Sequence, residues 1–337
     1  MTAPSVSENN WIIDLRQEAA KSARLVGGKS ANLSELFALG VSSPIGFVVT
    51  TDAYYHFLEN GGILEKVRDL FARIDTADLK ETNLLCGEIQ RIILRNEVPH
   101  DLLDRIRIAY SELSGELGHS DSWVAVRSSA YAEDSANSSF AGQHESYLFV
   151  RGLRDVITSI RKCYSSAFST RAVFYASHNH IEEFPEFGVI VQTMVLPKSS
   201  GIAFSLDPST GNADVIVVES SWGVGEAISQ GLVTPDYFIL QKKPFGIIQS
   251  RAARKKCMIV RGRRKKAGSY ATTTQVPKAL IDKLSIDSSE LLTLGRLVAT
   301  LEEDFRKPID VEWCIDKVTK KLFVLQVRPE TVWSKST

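Results

Sequence analysis

Two stretches near the end of the chain, DVEWCI at 310–315 and LFVLQVR at 322–328, alternate polar and apolar side chains with a period of two. Successive side chains on a strand point to opposite faces. Asp310, Glu312 and Cys314 therefore share one face of the first strand, with Val311, Trp313 and Ile315 on the other. In the second strand Leu322, Val324, Gln326 and Arg328 share a face, opposite Phe323, Leu325 and Val327. A turn at DKVTKK lets the strands pair, and a register with 314 opposite 324 also sets 312 against 326 and 310 against 328. Two carboxylates, an amide and a guanidinium would then form one polar patch. Oxygen donors of this kind suit Mg²⁺, which takes one or two carboxylates and completes its shell with water and substrate phosphates. An arginine beside them can neutralise a transferring phosphoryl group. The same alternation is also met by a solvent-facing hairpin held by an Asp310–Arg328 cross-strand pair, worth about 0.2–1 kcal/mol.

The remainder reads as mixed α/β. The chain has 337 residues, 44% of them hydrophobic, enough for about two domains and a sizeable core. Forty Lys and Arg balance forty Asp and Glu, which argues against a surface built throughout for nucleic acid or an anionic membrane. Apolar runs such as Val215–Val218 are strand-sized, too short to span a bilayer. The N-terminus MTAPSVSENN has no basic patch followed by an apolar run, and the four cysteines form no CxxC. A cytoplasmic, reduced protein is expected. Residues 1–9 read as a disordered tail. Helical periodicity dominates from the ANLSELFAL segment to 116, with a break at Pro99, and one long helix is expected over 153–180. Strand patterns occupy WVAVR, YLFV, GVIVQTMV, GIAFSL, DVIVVES and DYFIL, and 277–306 is again helical. Two lobes are expected, 10–190 and 191–337.

Two further cations stand out. Lys29 follows Gly27 and Gly28 at a helix start, where exposed N–H groups favour an anion. Position 23 is Ala, so the P-loop pattern fails, and a capped helix with a solvated lysine fits equally. Arg127 ends a strand and opens a Gly/Ser-containing loop, a position open to phosphate binding or to plain solvation. The turn GVGEAI lacks the third glycine of GxGxxG.

Five stretches, VGGKSANLSEL, VAVRSSAYAEDSANSSFAGQHES, GIAFSLDPSTG, ESSWGVGEAISQGLVTPD and DVEWCID…LFVLQVRPETV, span 26–332 in one order. Together they resemble the ATP-binding domain shared by phosphoenolpyruvate synthase, pyruvate phosphate dikinase and rifampin phosphotransferase. The resemblance implies an ATP-grasp-like α/β (α+β) fold of two lobes with nucleotide in the cleft between them, and an ATP- and Mg²⁺-dependent phosphotransferase. It assigns Lys29 and Arg127 to the ATP phosphates and Glu312 and Gln326 to Mg²⁺, with Asp310 and Arg328 at the transferring group. Ser139, Phe140, Ala141, Gly142 and Gln143 would close over the phosphates. Gln192, Thr193, Met194 and Val195 would form the hinge touching adenine, Glu219 a ribose or hinge-side contact, and Ser205 a phosphate-side contact.

The family's phosphorylatable histidine sits in a glycine-rich motif that none of the six histidines here matches. The expected acceptor is therefore a histidine on a separate partner, or a small molecule taken directly. His144 stands where the family usually has Gln, and is readable as an acceptor, a base or a solvated loop residue. Nine of the sixteen residues at 251–266 are Lys or Arg. They read as a solvated ribbon edge or as a dock for an acidic partner. Nucleic acid is disfavoured because no aromatic residue interleaves the run. A non-catalytic nucleotide sensor and a simple ADP-forming kinase are the competing functions.

Overall fold

The computed structural model describes residues 10–131, 145–179, 181, 183–266, 269–330 and 333. The expected tail at 1–9 lies outside them. The chain divides into two compact units. Unit 1 gathers the described residues of 1–35, 45–194 and 266–269, and unit 2 those of 36–44, 195–265 and 270–337.

Unit 1 runs β1 (Ile12–Asp14), α1 (Ala23–Val26), α2 (Gly28–Ala38), β2 (Gly46–Val49), α3 (Thr51–Asn60), α4 (Leu64–Ala72), α5 (Leu79–Arg95), α6 (His100–Glu116), β3 (Val124–Ala130), β4 (Ser146–Val150), α7 (Leu153–Ser166), α8 (Thr170–His178) and β5 (Phe187–Thr193). Helices α3 and α5 begin where polar side chains satisfy free N–H groups. Thr50 accepts from Ala53 N, and Asp78 accepts from Lys80 N and Glu81 N. The long helix expected over 153–180 is two. Ser169 takes an extended backbone and caps α8 by accepting from Ala172 N, and this local bond outcompetes continuation.

The sheet order is β1-β2-β5-β3-β4, antiparallel throughout, so β5 lies between two strands made much earlier in the chain. One sheet face, with Phe47, Val49, Val124, Val126, Val189 and Val191, joins the helices in a continuous core around Tyr54, Phe57 and Tyr164. Each such fully buried apolar side chain contributes about 1.5–3 kcal/mol. The opposite face carries Val48, Ile190 and Arg127 in one row, Gly46, Gln192 and Ala125 in the next, and the Gly188–Ser129 pair.

Unit 2 contains β6 (Pro197–Phe204), β7 (Val215–Trp222), α9 (Glu226–Ser229), β8 (Asp236–Gln241), β9 (Gly246–Arg251), β10 (Cys257–Lys266), β11 (Ser269–Gln275), α10 (Ser288–Phe305), β12 (Ile309–Asp316) and β13 (Leu322–Pro329). Strands β10 and β11 form a two-stranded ribbon; the rest make an antiparallel sheet in the order β13-β12-β6-β7-β8-β9. Its apolar face, including Val311, Trp313, Ala203, Val218 and Leu240, is covered by α10. A capping box at Asp287 and Glu290 starts that helix.

The basic segment is not uniformly solvated. Lys255 is fully buried, donating to Asp236 Oδ1 and to Ala253 O at 2.8 Å. Asp236 also accepts from Ala253 N (2.8 Å), Ser285 N (2.8 Å) and Ser285 Oγ (2.7 Å). Four donors compensate the loss of water around this carboxylate inside the core. This knot ties two loops to β8.

Candidate active site

In unit 1 the start of α2, which carries Lys29, lies against β3, the strand that carries Arg127. Gly27 has φ +82°, and a Cβ there would lie 2.0 Å from Ser129 O, so only glycine lets the start of α2 rest on β3. Lys29 is buried and donates Nζ to Ser128 O at 3.1 Å. Arg127 stands on that face beside Ile190, one row from Gln192. Gln192 is buried; Met194, just beyond β5, donates its N–H to Trp123 O at 2.8 Å. Val195 is the first residue of unit 2 after this junction.

In unit 2 the polar face of the terminal hairpin forms largely as the alternation predicts. Asp310 pairs with Arg328, and Glu312 with Gln326. Arg328 Nε lies 2.8 Å from Asp310 Oδ1 and 2.7 Å from Oδ2, and Nη2 lies 2.7 Å from Oδ2. Burial pushes the Asp310 carboxyl above the usual carboxylate range; the Arg328 bonds oppose that rise, and Glu312 and Glu330 add to it.

The expected 314–324 pairing is not formed. The register shifts after Glu312, so Trp313 meets Val324 and Cys314 meets Phe323, with Leu325 as the extra residue of a β-bulge. The reason is packing. The bulge sends Val324, fully buried, to the core with Trp313, and leaves Phe323 half-exposed under Lys321 Nζ, 5.4 Å from the ring centroid.

The polar row continues across the sheet. Glu312 faces Ile202, Ile202 faces Glu219, Glu219 faces Tyr237, and Tyr237 faces Arg251. Arg251 Cζ sits 5.4 Å from the centre of the Tyr237 ring. Glu219 is half-buried, and among the described residues its carboxylate has no hydrogen-bond or salt-bridge partner; burial raises its pKa. Ser205 is fully buried, its Oγ accepting from Ile309 N at 2.9 Å, so its hydroxyl ties the end of β6 to the start of β12.

A sequence profile for the pyruvate phosphate dikinase AMP/ATP-binding domain matches residues 23–337. The chain belongs to this family. It is 34% identical over 326 residues to the "Probable phosphoenolpyruvate synthase" of Methanocaldococcus jannaschii, covering 96% of this chain and 27% of that protein. With the "Phosphoenolpyruvate synthase" of Aquifex aeolicus it shares 36% identity over 330 residues, covering 92% of this chain and 38% of the relative. The chain thus spans well under half the length of these two relatives. Among solved structures, D-alanyl-alanine synthetase A from Vibrio cholerae aligns with a TM-score of 0.33 at 10% identity, over 91% of this chain and 60% of that one.

Within this dikinase-type domain, unit 1 carries Lys29, Arg127 and Gln192, and unit 2 carries the paired Asp310–Arg328 and Glu312–Gln326, with Glu219 two strands away in the same row as Glu312. Ser139, Phe140, Ala141, Gly142, Gln143 and His144 lie outside the described residues. Sequence reasoning did not place Tyr237 in this row, although alternation in DYFIL already sets it apart from its buried neighbours, and it read Arg251 only as the start of the basic run. No described group of three or more His, Cys, Asp and Glu side chains is arranged to hold a metal. A Mg²⁺ that takes most of its ligands from phosphates and water needs no such group. One carboxylate and one amide oxygen on opposed positions of a sheet face fit it by donor chemistry. No described helix is long and apolar enough to cross a membrane.

Proposed function

We propose that the chain binds ATP with Mg²⁺ and transfers a phosphoryl group from it. The observation that carries this reading is the paired set Asp310–Arg328 and Glu312–Gln326 on one face of β12 and β13. Lys29 and Arg127 bind phosphate oxygens, and the start of α2 adds backbone N–H donors. Glu312 and Gln326 would hold the metal, which would supply positive charge against the phosphates. Asp310 holds the Arg328 guanidinium on the transferring group. Gln192, Met194 and Val195 contact adenine, and Glu219 accepts from ribose hydroxyls. Phosphoryl transfer requires positioning and charge neutralisation more than covalent participation by the protein, and these residue types supply both.

The acceptor is a histidine on a partner domain or protein, consistent with relatives two to four times longer than this chain, or a small molecule. The deciding experiment incubates the purified chain with Mg²⁺–ATP, with and without a histidine-bearing domain of such a relative, and resolves the nucleotide products. AMP and phosphate formed with the added domain support dikinase-type transfer. ADP alone supports a simple kinase, and nucleotide binding without turnover under any condition supports a sensor.

A further inference from the structure

Lys29 owes its place to a residue on another element. Helix α2 opens with Gly27 at the capping position, and the first intrahelical bond runs from Ala31 N to Gly27 O. Ser30 N is therefore one of the N–H groups that a helix leaves without an internal acceptor. A serine or aspartate at the cap normally accepts from that group with its own side chain; Gly27 has none. Ser129 supplies the missing oxygen from β3. It is fully buried, and its Oγ accepts from Ser30 N at 3.0 Å and from Ser30 Oγ at 3.0 Å.

The tie is reciprocal. The residue after Lys29 is held by Ser129, while Lys29 itself reaches the residue before Ser129. Ser129 also shares its face of β3 with Arg127, two positions back. Space around it is restricted. A Cβ on Gly27 would fall 2.4 Å from Ser129 Oγ, and one on Gly188, opposite Ser129, would fall 2.5 Å from Val26 O.

We propose that Ser129 is a positioning residue for the phosphate-binding lysine: a helix cap delivered from a strand, which sets Lys29 against Arg127. The proposal rests on the nucleotide reading above.

The test is a double-mutant cycle on the whole chain. Binding of the imido analogue of ATP with Mg²⁺ is measured by calorimetry for the wild type, Ser129→Ala, Lys29→Met and the double variant. Losing the two buried hydrogen bonds that fix the start of α2, and with it a charge, predicts about tenfold weaker binding for Ser129→Ala. In the Lys29→Met background the same change alters affinity by no more than about twofold, the scatter of independent sites. Equal losses in both backgrounds mean that Ser129 is general structural support, and no loss in either means it positions nothing; both outcomes overturn the inference. A Lys29→Met chain that binds as tightly as wild type overturns the nucleotide reading and the inference together. A weakened Lys29→Met chain beside an unaffected Ser129→Ala chain overturns the inference alone. Should Ser129→Ala fail to fold, Ser30→Ala removes the hydroxyl contact, keeps the N–H bond, and is read in the same cycle.

Discussion

Arg328 reaches Asp310 with Nε 2.8 Å from Oδ1 and 2.7 Å from Oδ2, and with Nη2 2.7 Å from Oδ2. The guanidinium is thus oriented by the protein itself, from a directly opposed strand position. A lysine cannot reproduce that contact, because its ammonium is a point charge on a flexible stem. Arg328→Lys is expected to lower turnover about a hundredfold or more, with the far-ultraviolet dichroism spectrum retained. Turnover within a few-fold of wild type would remove Arg328 from the transfer step.

Glu312 and Gln326 provide one charged and one neutral oxygen. Glu312→Gln keeps the shape and deletes the charge. Titrating Mg²⁺ at fixed nucleotide, the variant should need at least about tenfold more metal for half-maximal binding, since even outer-shell changes at metal sites cost that much. An unchanged Mg²⁺ requirement would place the metal elsewhere.

Glu219 is held above its ordinary pKa by burial. A carboxyl with a raised folded-state pKa keeps its proton in the folded chain after the unfolded chain has lost it. Stability from this group therefore falls as pH rises through that interval, and the full penalty is present above it. Glu219→Gln removes the penalty. The variant should melt at a higher temperature than wild type at pH 7, and the difference should vanish below about pH 4, where both forms are neutral. Nucleotide affinity should fall in the same variant, because the amide is a weaker acceptor for ribose hydroxyls. A lower melting temperature at pH 7 would show that the carboxylate is stabilising.

Lys255 and Asp236 are both fully buried. Removing one partner leaves an uncompensated charge in the core, which costs about 3–5 kcal/mol. Lys255→Met should lose stability of that order in urea unfolding. Lys255→Met combined with Asp236→Asn should recover part of it. A double variant no better than the single one would assign the loss to packing around the lysine stem.

The hairpin was readable from the sequence because a period of two needs only local information. Two of its three expected cross-strand pairs, 310–328 and 312–326, form as the alternation implies. The third fails because the Leu325 bulge depends on how Trp313, Val324 and Phe323 divide between core and solvent, which no single strand encodes. The Ser129 cap was invisible for another reason: it stands 99 positions from Ser30, and a serine in VRSSA looks like any strand serine. Lys255 was misread as one of a solvated basic run because its partner, Asp236, lies 19 residues back across a turn of chain. The break between α7 and α8 turned on one cap, Ser169, within a stretch whose apolar periodicity hardly falters.

The order β1-β2-β5-β3-β4 has a consequence for synthesis on the ribosome. Strand β5, residues 187–193, must enter between β2 and β3, so the sheet of unit 1 cannot close until residue 193 has been translated. Until then the inner edges of β2 and β3 have no permanent partner, and their unpaired backbone N–H and C=O groups are open to mispairing. Nascent chains halted before residue 187 should therefore be the species that holding chaperones engage most strongly, and release should follow once residue 193 has cleared the exit tunnel.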